Sequence, residues 1–145
     1  MRKFKSILFL ILILALTSCS DKDVTKYYHD YQGESKLWEV YYHEKSVVTF
    51  WTEDGILQHD TSTEATFTAV YKNGIEELAN VRQLEIGYDT GLTGSSMCEN
   101  YDKDGPDHRA FTITSSSGLT TYEPETLTAT LRIDDHTETI ELTRK

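Results

Sequence analysis

Apolar and polar residues alternate with a period of two along most of this chain, the spacing of strands that bury one face. In residues 35–43, Trp38, Val40 and Tyr42 share one face, while Leu37, Glu39 and Tyr41 share the other. Residues 45–52 form a β-branched and aromatic run that ends at the turn pair Asp54-Gly55. Residues 63–71 place Ala65, Phe67, Ala69 and Tyr71 on one face, and Asn73-Gly74 follows as a hairpin signal because both residues tolerate positive φ. Residues 81–88 read as a strand with Leu84, Ile86 and Tyr88 inward, residues 95–100 as a short strand, and residues 108–115 as a strand carrying Phe111 and Ile113. Leu127, Ala129, Leu131 and Ile133 alternate up to the turn Asp134-Asp135-His136. Residues 137–143 then return with Ile140 and Leu142 as a C-terminal hairpin. Only residues 75–79 have the composition of a helical turn. Seven to nine short strands predict an all-β domain, an antiparallel β-sandwich of immunoglobulin-like type, with a closed barrel as the alternative.

The N-terminus follows a different pattern. Arg2, Lys3 and Lys5 precede an unbroken apolar stretch from Ile7 to Leu16, which closes on Leu16-Thr17-Ser18-Cys19. The stretch is too short for a spanning helix, which needs about 20 apolar residues; its charged head, apolar middle and small-residue exit are those of a secretory signal. The four closing residues resemble the lipobox of bacterial lipoproteins. The resemblance implies a signal peptide over residues 1–18 and a diacylglyceryl group with palmitate-type chains on Cys19. Cys19 becomes the first mature residue, held at the cell membrane or outer membrane on the extracytoplasmic side. Two acyl chains suffice for stable anchoring. Residues 19–32 are expected to be a polar tether and residues 33–145 the folded domain. Tyr27, Tyr28 and Tyr31 are unusual for a linker: they start a first strand, the preferred reading, or rest at headgroup level as interfacial aromatics do.

Charge narrows the partners. The chain carries 14 Lys and Arg against 24 Asp and Glu, and loss of three basic residues with the leader takes the formal charge from −10 to −13. Such a surface repels nucleic acid, so none is expected as a partner. Only Cys19 and Cys98 occur, so lipidation of the first leaves Cys98 without an internal disulfide partner. Cys98 is expected to be a small buried hydrophobe. The five histidines are scattered singly, without zinc spacing.

Three features bear on chemistry. Asn100-Tyr101-Asp102-Lys103-Asp104-Gly105 matches the first half of a calcium loop, with Asn100, Asp102 and Asp104 as oxygen ligands before a turn glycine. Phe111 stands where the bidentate glutamate belongs, and an Asp- and Gly-rich turn explains the same residues. Trp38, Trp51, Tyr41, Tyr42 and Phe50 are read as lying on two adjacent strands. Core packing accounts for the tryptophans, and any exposed ring would suit a sugar face or a protein partner. No phosphate loop, dinucleotide glycine pattern or Gly-x-Ser-x-Gly is present, and Gly91-Leu92-Thr93-Gly94-Ser95-Ser96 has turn composition only, so no enzyme is expected.

The stretch Tyr31-Gln32-Gly33-Glu34-Ser35-Lys36-Leu37-Trp38-Glu39-Val40 is similar to the start of small Gram-positive lipoproteins in which a Gly-Glu-Ser step precedes a tryptophan strand. That resemblance implies a surface β lipoprotein and no particular activity. The expected function is a non-catalytic binding module, anchored through Cys19, with an envelope protein, glycan or cation as ligand. The alternative is an inhibitor or accessory subunit of an envelope enzyme, similar to lysozyme inhibitors.

Overall fold

A computed structural model describes residues 22–119 and 124–145. Eight strands follow one another: β1 (Asp23–Glu34), β2 (Trp38–Glu53), β3 (Ile56–Tyr71), β4 (Gln83–Asp89), β5 (Gly94–Asn100), β6 (Ala110–Ser117), β7 (Thr126–Ile133) and β8 (His136–Arg144). A single 3-10 turn, Ile75–Leu78, lies between β3 and β4, within the span expected to be helical. The strands form one antiparallel sheet in the order β5-β4-β7-β8-β1-β2-β3-β6. Its edge strands β5 and β6 approach each other without a shared ladder, leaving a nearly closed barrel with one seam. The pairing therefore differs from the two facing sheets of an immunoglobulin-like sandwich. Tight hairpins keep β2 beside β3 and β8 beside β7, and β8 then pairs with β1, so the first and last strands join the two halves edge to edge.

The alternation read from the sequence fills the interior. Trp38, Val40, Tyr42, Phe67, Ala69, Leu84, Ile86, Phe111, Leu127, Ala129, Leu131 and Leu142 are all buried. Near one end, the Trp38 ring meets Tyr71 and Phe111 edge-on at 5.2 and 6.0 Å; farther along, Tyr88 lies 4.9 Å from Tyr42 and 5.4 Å from Phe67. Such ring pairs add about 1 kcal/mol each beyond the area they bury.

Because β3 and β4 are not neighbours, the chain between them must cross one end of the barrel. That crossing carries the 3-10 turn and drives Leu78 and Val81 into the core. The β5–β6 connection crosses the same end. The two are tied by Tyr101 N–H to the Arg82 carbonyl at 2.8 Å and Gly105 N–H to the Ala79 carbonyl at 3.0 Å. Gly105 lies so close to the Leu78 backbone that a Cβ has no room there. This end of the barrel is plugged.

Asn73-Gly74 does not make the hairpin its sequence suggests. Gly74 is extended, with φ −64°, and leads into the 3-10 turn instead. The two-residue hairpin turns are at Asp54-Gly55, with φ of 51° and 77°, and at Asp134-Asp135, where Asp134 has φ 50°. The Asp134 carboxylate also accepts the N–H groups of Arg82 and Gln83 at 2.9 and 2.8 Å, fixing the start of β4.

The boundary at residue 33 moves upstream. Asp23 already pairs with Phe50, and the β1–β2 ladder runs unbroken to Glu34 and Glu39, so residues 23–32 are strand and not tether. The polar composition of this stretch belongs to a strand exposed along much of its length. The β1–β2 turn is made by Ser35, whose Oγ accepts the N–H groups of Leu37 and Trp38 at 3.2 and 3.1 Å. Residues 38–53 are likewise one strand, because nothing in His43-Glu44-Lys45 breaks it. Trp38 and Trp51 therefore lie on the same strand.

Gly33 is where β8 comes closest to β1: a Cβ there would lie 2.6 Å from the Glu141 carbonyl oxygen and 2.8 Å from Leu142 Cδ2. Gly33→Ala is expected to lower stability by about 2 kcal/mol, the usual cost of overpacking, read as a fall in the urea midpoint with an unchanged slope. Lys72 Nζ donates to Glu34 Oε2 at 2.7 Å, and this hydrogen bond and charge hold the Glu34 carboxyl below the usual carboxylate range. A depressed carboxylate contributes stability above its unfolded value and loses it as pH falls through the folded one. Lys72→Met should therefore lower the neutral plateau of a Tm–pH profile slightly and leave values below about pH 4, where Glu is protonated, little changed, so that the acid limb flattens.

Candidate functional site

Toward the end of the barrel opposite the plug, inward-facing positions change from apolar to polar. Beyond Tyr42, the inward parity of β2 continues to Glu44 and Ser46, both buried at 1 % and 0 % exposure. Their cross-strand neighbours are His29 and Tyr27 on β1, and Ala65 and Thr63 on β3. Glu44 Oε2 accepts the Tyr42 hydroxyl at 2.8 Å, and Oε1 accepts Ser46 Oγ at 3.4 Å. Ser46 and Thr63 share a hydrogen bond of 2.8 Å. His29 is buried beside them, and its Nδ1 finds no hydrogen-bond partner among the described residues.

This polar layer opens on a cavity of ≈ 330 Å³ at the seam. Its walls are Tyr42 and Glu44 of β2, Thr63 of β3, Tyr88 of β4, Gly94 of β5 and Ser115 of β6. The Tyr88 hydroxyl and Ser115 Oγ lie 2.5 Å apart, a bond from β4 to β6 across the strand gap. The rim is held by the β4–β5 turn. There Thr90 Oγ1 accepts the Thr93 N–H at 2.9 Å, and Asp89 Oδ1 accepts the N–H of Gly91, whose φ is 83°. The segment read from sequence as a serine-rich turn thus divides: residues 91–93 are turn, and Ser95 and Ser96 belong to β5. On the other side, the Tyr31 hydroxyl donates to the Pro124 carbonyl at 2.8 Å. A carboxyl group flanked by hydroxyls in a cavity of this size can accept hydrogen bonds from a small polar ligand.

The residues proposed as calcium ligands lie elsewhere. Asn100 ends β5 near the plugged end, and Asp102 and Asp104 are exposed on the turn that follows. Among the described residues, no three His, Cys, Asp or Glu side chains are grouped to hold a metal ion. Here Tyr101 bonds Glu99, Arg82 bonds the Lys103 carbonyl, and Gly105 packs on the 3-10 turn. Burial and the Glu99 carboxylate raise the Tyr101 hydroxyl far above the usual phenol range.

Trp38 is in the core, as expected, whereas Trp51 is half-buried near the far end of β2 with the Lys22 ammonium 5.6 Å from its ring centroid. Cys98 faces outward on β5 and is exposed, which overturns its reading as a buried hydrophobe. The alternation on β5 gives the inward positions to Met97 and Glu99. Cys19 and the lipobox lie outside the described residues.

No family model, curated protein or solved structure matches this chain.

Sequence reasoning missed Glu44, Ser46, Thr63, Tyr88 and Ser115 as a group. The available signal was parity: Glu44 and Ser46 continue the inward series Trp38, Val40, Tyr42 without a break. Exposure at Cys98 gives a direct check. An aromatic disulfide reagent should label one thiol in the folded Ser20–Lys145 fragment, at a rate that denaturant raises less than tenfold.

Proposed function

We propose that this chain is a non-catalytic binding module, held on the extracytoplasmic side of a membrane by lipid on Cys19, and that the seam cavity beside Glu44 is its binding site. The observation that carries the reading is the buried carboxyl and hydroxyl layer lining the seam cavity, at the end opposite the β3–β4 and β5–β6 crossings. A small barrel that needed only stability would continue its apolar packing there, because each buried polar group must find a partner. The ligand it suits is small and rich in donors, an amine or a polyhydroxylated molecule, since Glu44 presents acceptors and the surrounding hydroxyls do both. The histidines whose hydrogen bonds are defined, His43, His108 and His136, bond Asp30, Asp107 and Glu138 and not a serine of the cavity. The lipobox and the formal charge of −13 without the leader support a place at the cell envelope, away from nucleic acid.

Thermal unfolding of the Ser20–Lys145 fragment against a panel of amino sugars, neutral sugars and simple amines tests the site. A ligand at 100 times its Kd adds about 2.7 kcal/mol, a rise of several degrees in Tm. That rise should vanish in Glu44→Gln, which keeps the side-chain shape. A shift that survives Glu44→Gln places binding elsewhere.

A further inference from the structure

The strands β1, β2 and β3 run well past the barrel. β8 pairs with β1 only at Tyr31 and Gln32, and β6 pairs with β3 only from Thr63 on. Beyond those points the three strands continue as an arm roughly 25 Å long at about 3.3 Å per residue. It ends at the Asp54-Gly55 turn. Of the eight large hydrophobic residues exposed among the described residues, five are on this arm: Val24, Tyr27, Tyr28, Ile56 and Leu57. Ile56 and Leu57, directly after the turn, are 62 % and 68 % exposed. No residue of the barrel wall offers a comparable pair. Charges at the tip are mainly acidic, Asp23, Glu53, Asp54 and Asp60, with Lys22 as the nearest cation.

The same tip is where the chain enters. Asp23 pairs with Phe50, three residues before the end of β2, and Lys22 is held over the Trp51 ring. Cys19 precedes Lys22 by three residues, a reach of about 10 Å at full extension. Lipid on Cys19 must therefore enter a bilayer beside the tip, at the height of Trp51, Ile56 and Leu57. Aliphatic side chains gain by leaving water, and an indole with a cation over its face suits the interfacial layer.

We propose that the β2–β3 tip is a membrane-contact surface, with Ile56 and Leu57 seated in the lipid interface beside the anchor and Trp51 at headgroup depth; this rests on the reading of Cys19 as the lipidation site. The occupant is a bilayer of low surface charge, since the acidic tip is repelled by anionic headgroups. The arm then stands the barrel off the surface with its seam cavity facing the gap between them.

The full chain, produced in a bacterium that processes prolipoproteins and reconstituted into phosphatidylcholine vesicles with bromine-labelled acyl chains, tests this. Trp51 fluorescence should be quenched at least twofold, and Trp51→Phe should remove the quenching because Trp38 is buried near the opposite end. The double variant Ile56→Ser, Leu57→Ser changes only exposed positions and should reduce quenching while palmitate incorporation stays unchanged. Palmitate should be absent from Cys19→Ser. Palmitate on Cys19 with unquenched Trp51 overturns the tip inference alone. Absence of palmitate from the native chain overturns the anchoring reading and this inference together. A tip shielded by a second copy, seen as a dimer that Ile56→Ser, Leu57→Ser dissociates, also overturns it.

Discussion

One uninterrupted strand sets the plan of this molecule. β2 pairs with β1 and β3 along nearly all of its 16 residues, and its period of two makes every second side chain face inward over that whole length. The inward series passes from Trp38, Val40 and Tyr42 through Glu44 and Ser46 to Val48 and Phe50. Packed core, polar layer and projecting arm are thus successive stretches of a single face. A register slip of one residue would put Lys45 in the place of Glu44 and expose Trp38's position, so the ladders on both sides of β2 are what keep the three regions distinct.

The two ends of the barrel answer different physical demands. At one, two non-local connections must cross, and they satisfy their backbone groups on each other while Leu78 and Val81 fill the space beneath. At the other, hydroxyls and the Glu44 carboxyl meet the seam, and their hydrogen bonds run between β2, β3, β4 and β6. Buried polar groups are costly without partners and structurally selective with them. The Tyr88–Ser115 bond of this layer reaches from β4 to β6 beside the cavity at the seam.

Much of the fold was legible in the sequence because one buried face leaves a strict alternation. The inward residues of β3, β4, β6, β7 and β8 followed from it directly, as did the Asp54-Gly55 turn. Three features were not legible for identifiable reasons. The length of β2 was hidden because His43-Glu44-Lys45 is charged, although only Glu44 of the three is buried. β1 was hidden because a strand exposed along much of its length has a linker's composition. Asn73-Gly74 misled because a local turn propensity was overridden by sheet order: β4 belongs beside β5 and β7, so the chain had to cross and could not turn back. The cavity residues escaped because they come from five strands, and only the Glu44–Ser46 portion forms a local pattern.

The attachment of β1 has a mechanical consequence. β8 forms ladder pairs with it only at Tyr31 and Gln32, whereas β2 pairs with all twelve residues, through hydrogen bonds that run across the strand direction. A pull on the N-terminal end of β1 along its own axis loads that whole ladder in shear, so the bonds resist together instead of opening one after another. A pull perpendicular to the strand would peel Asp23 from Phe50 first and proceed stepwise. The direction of tension at the N-terminus therefore sets whether the β1–β2 ladder is loaded as a whole or one bond at a time.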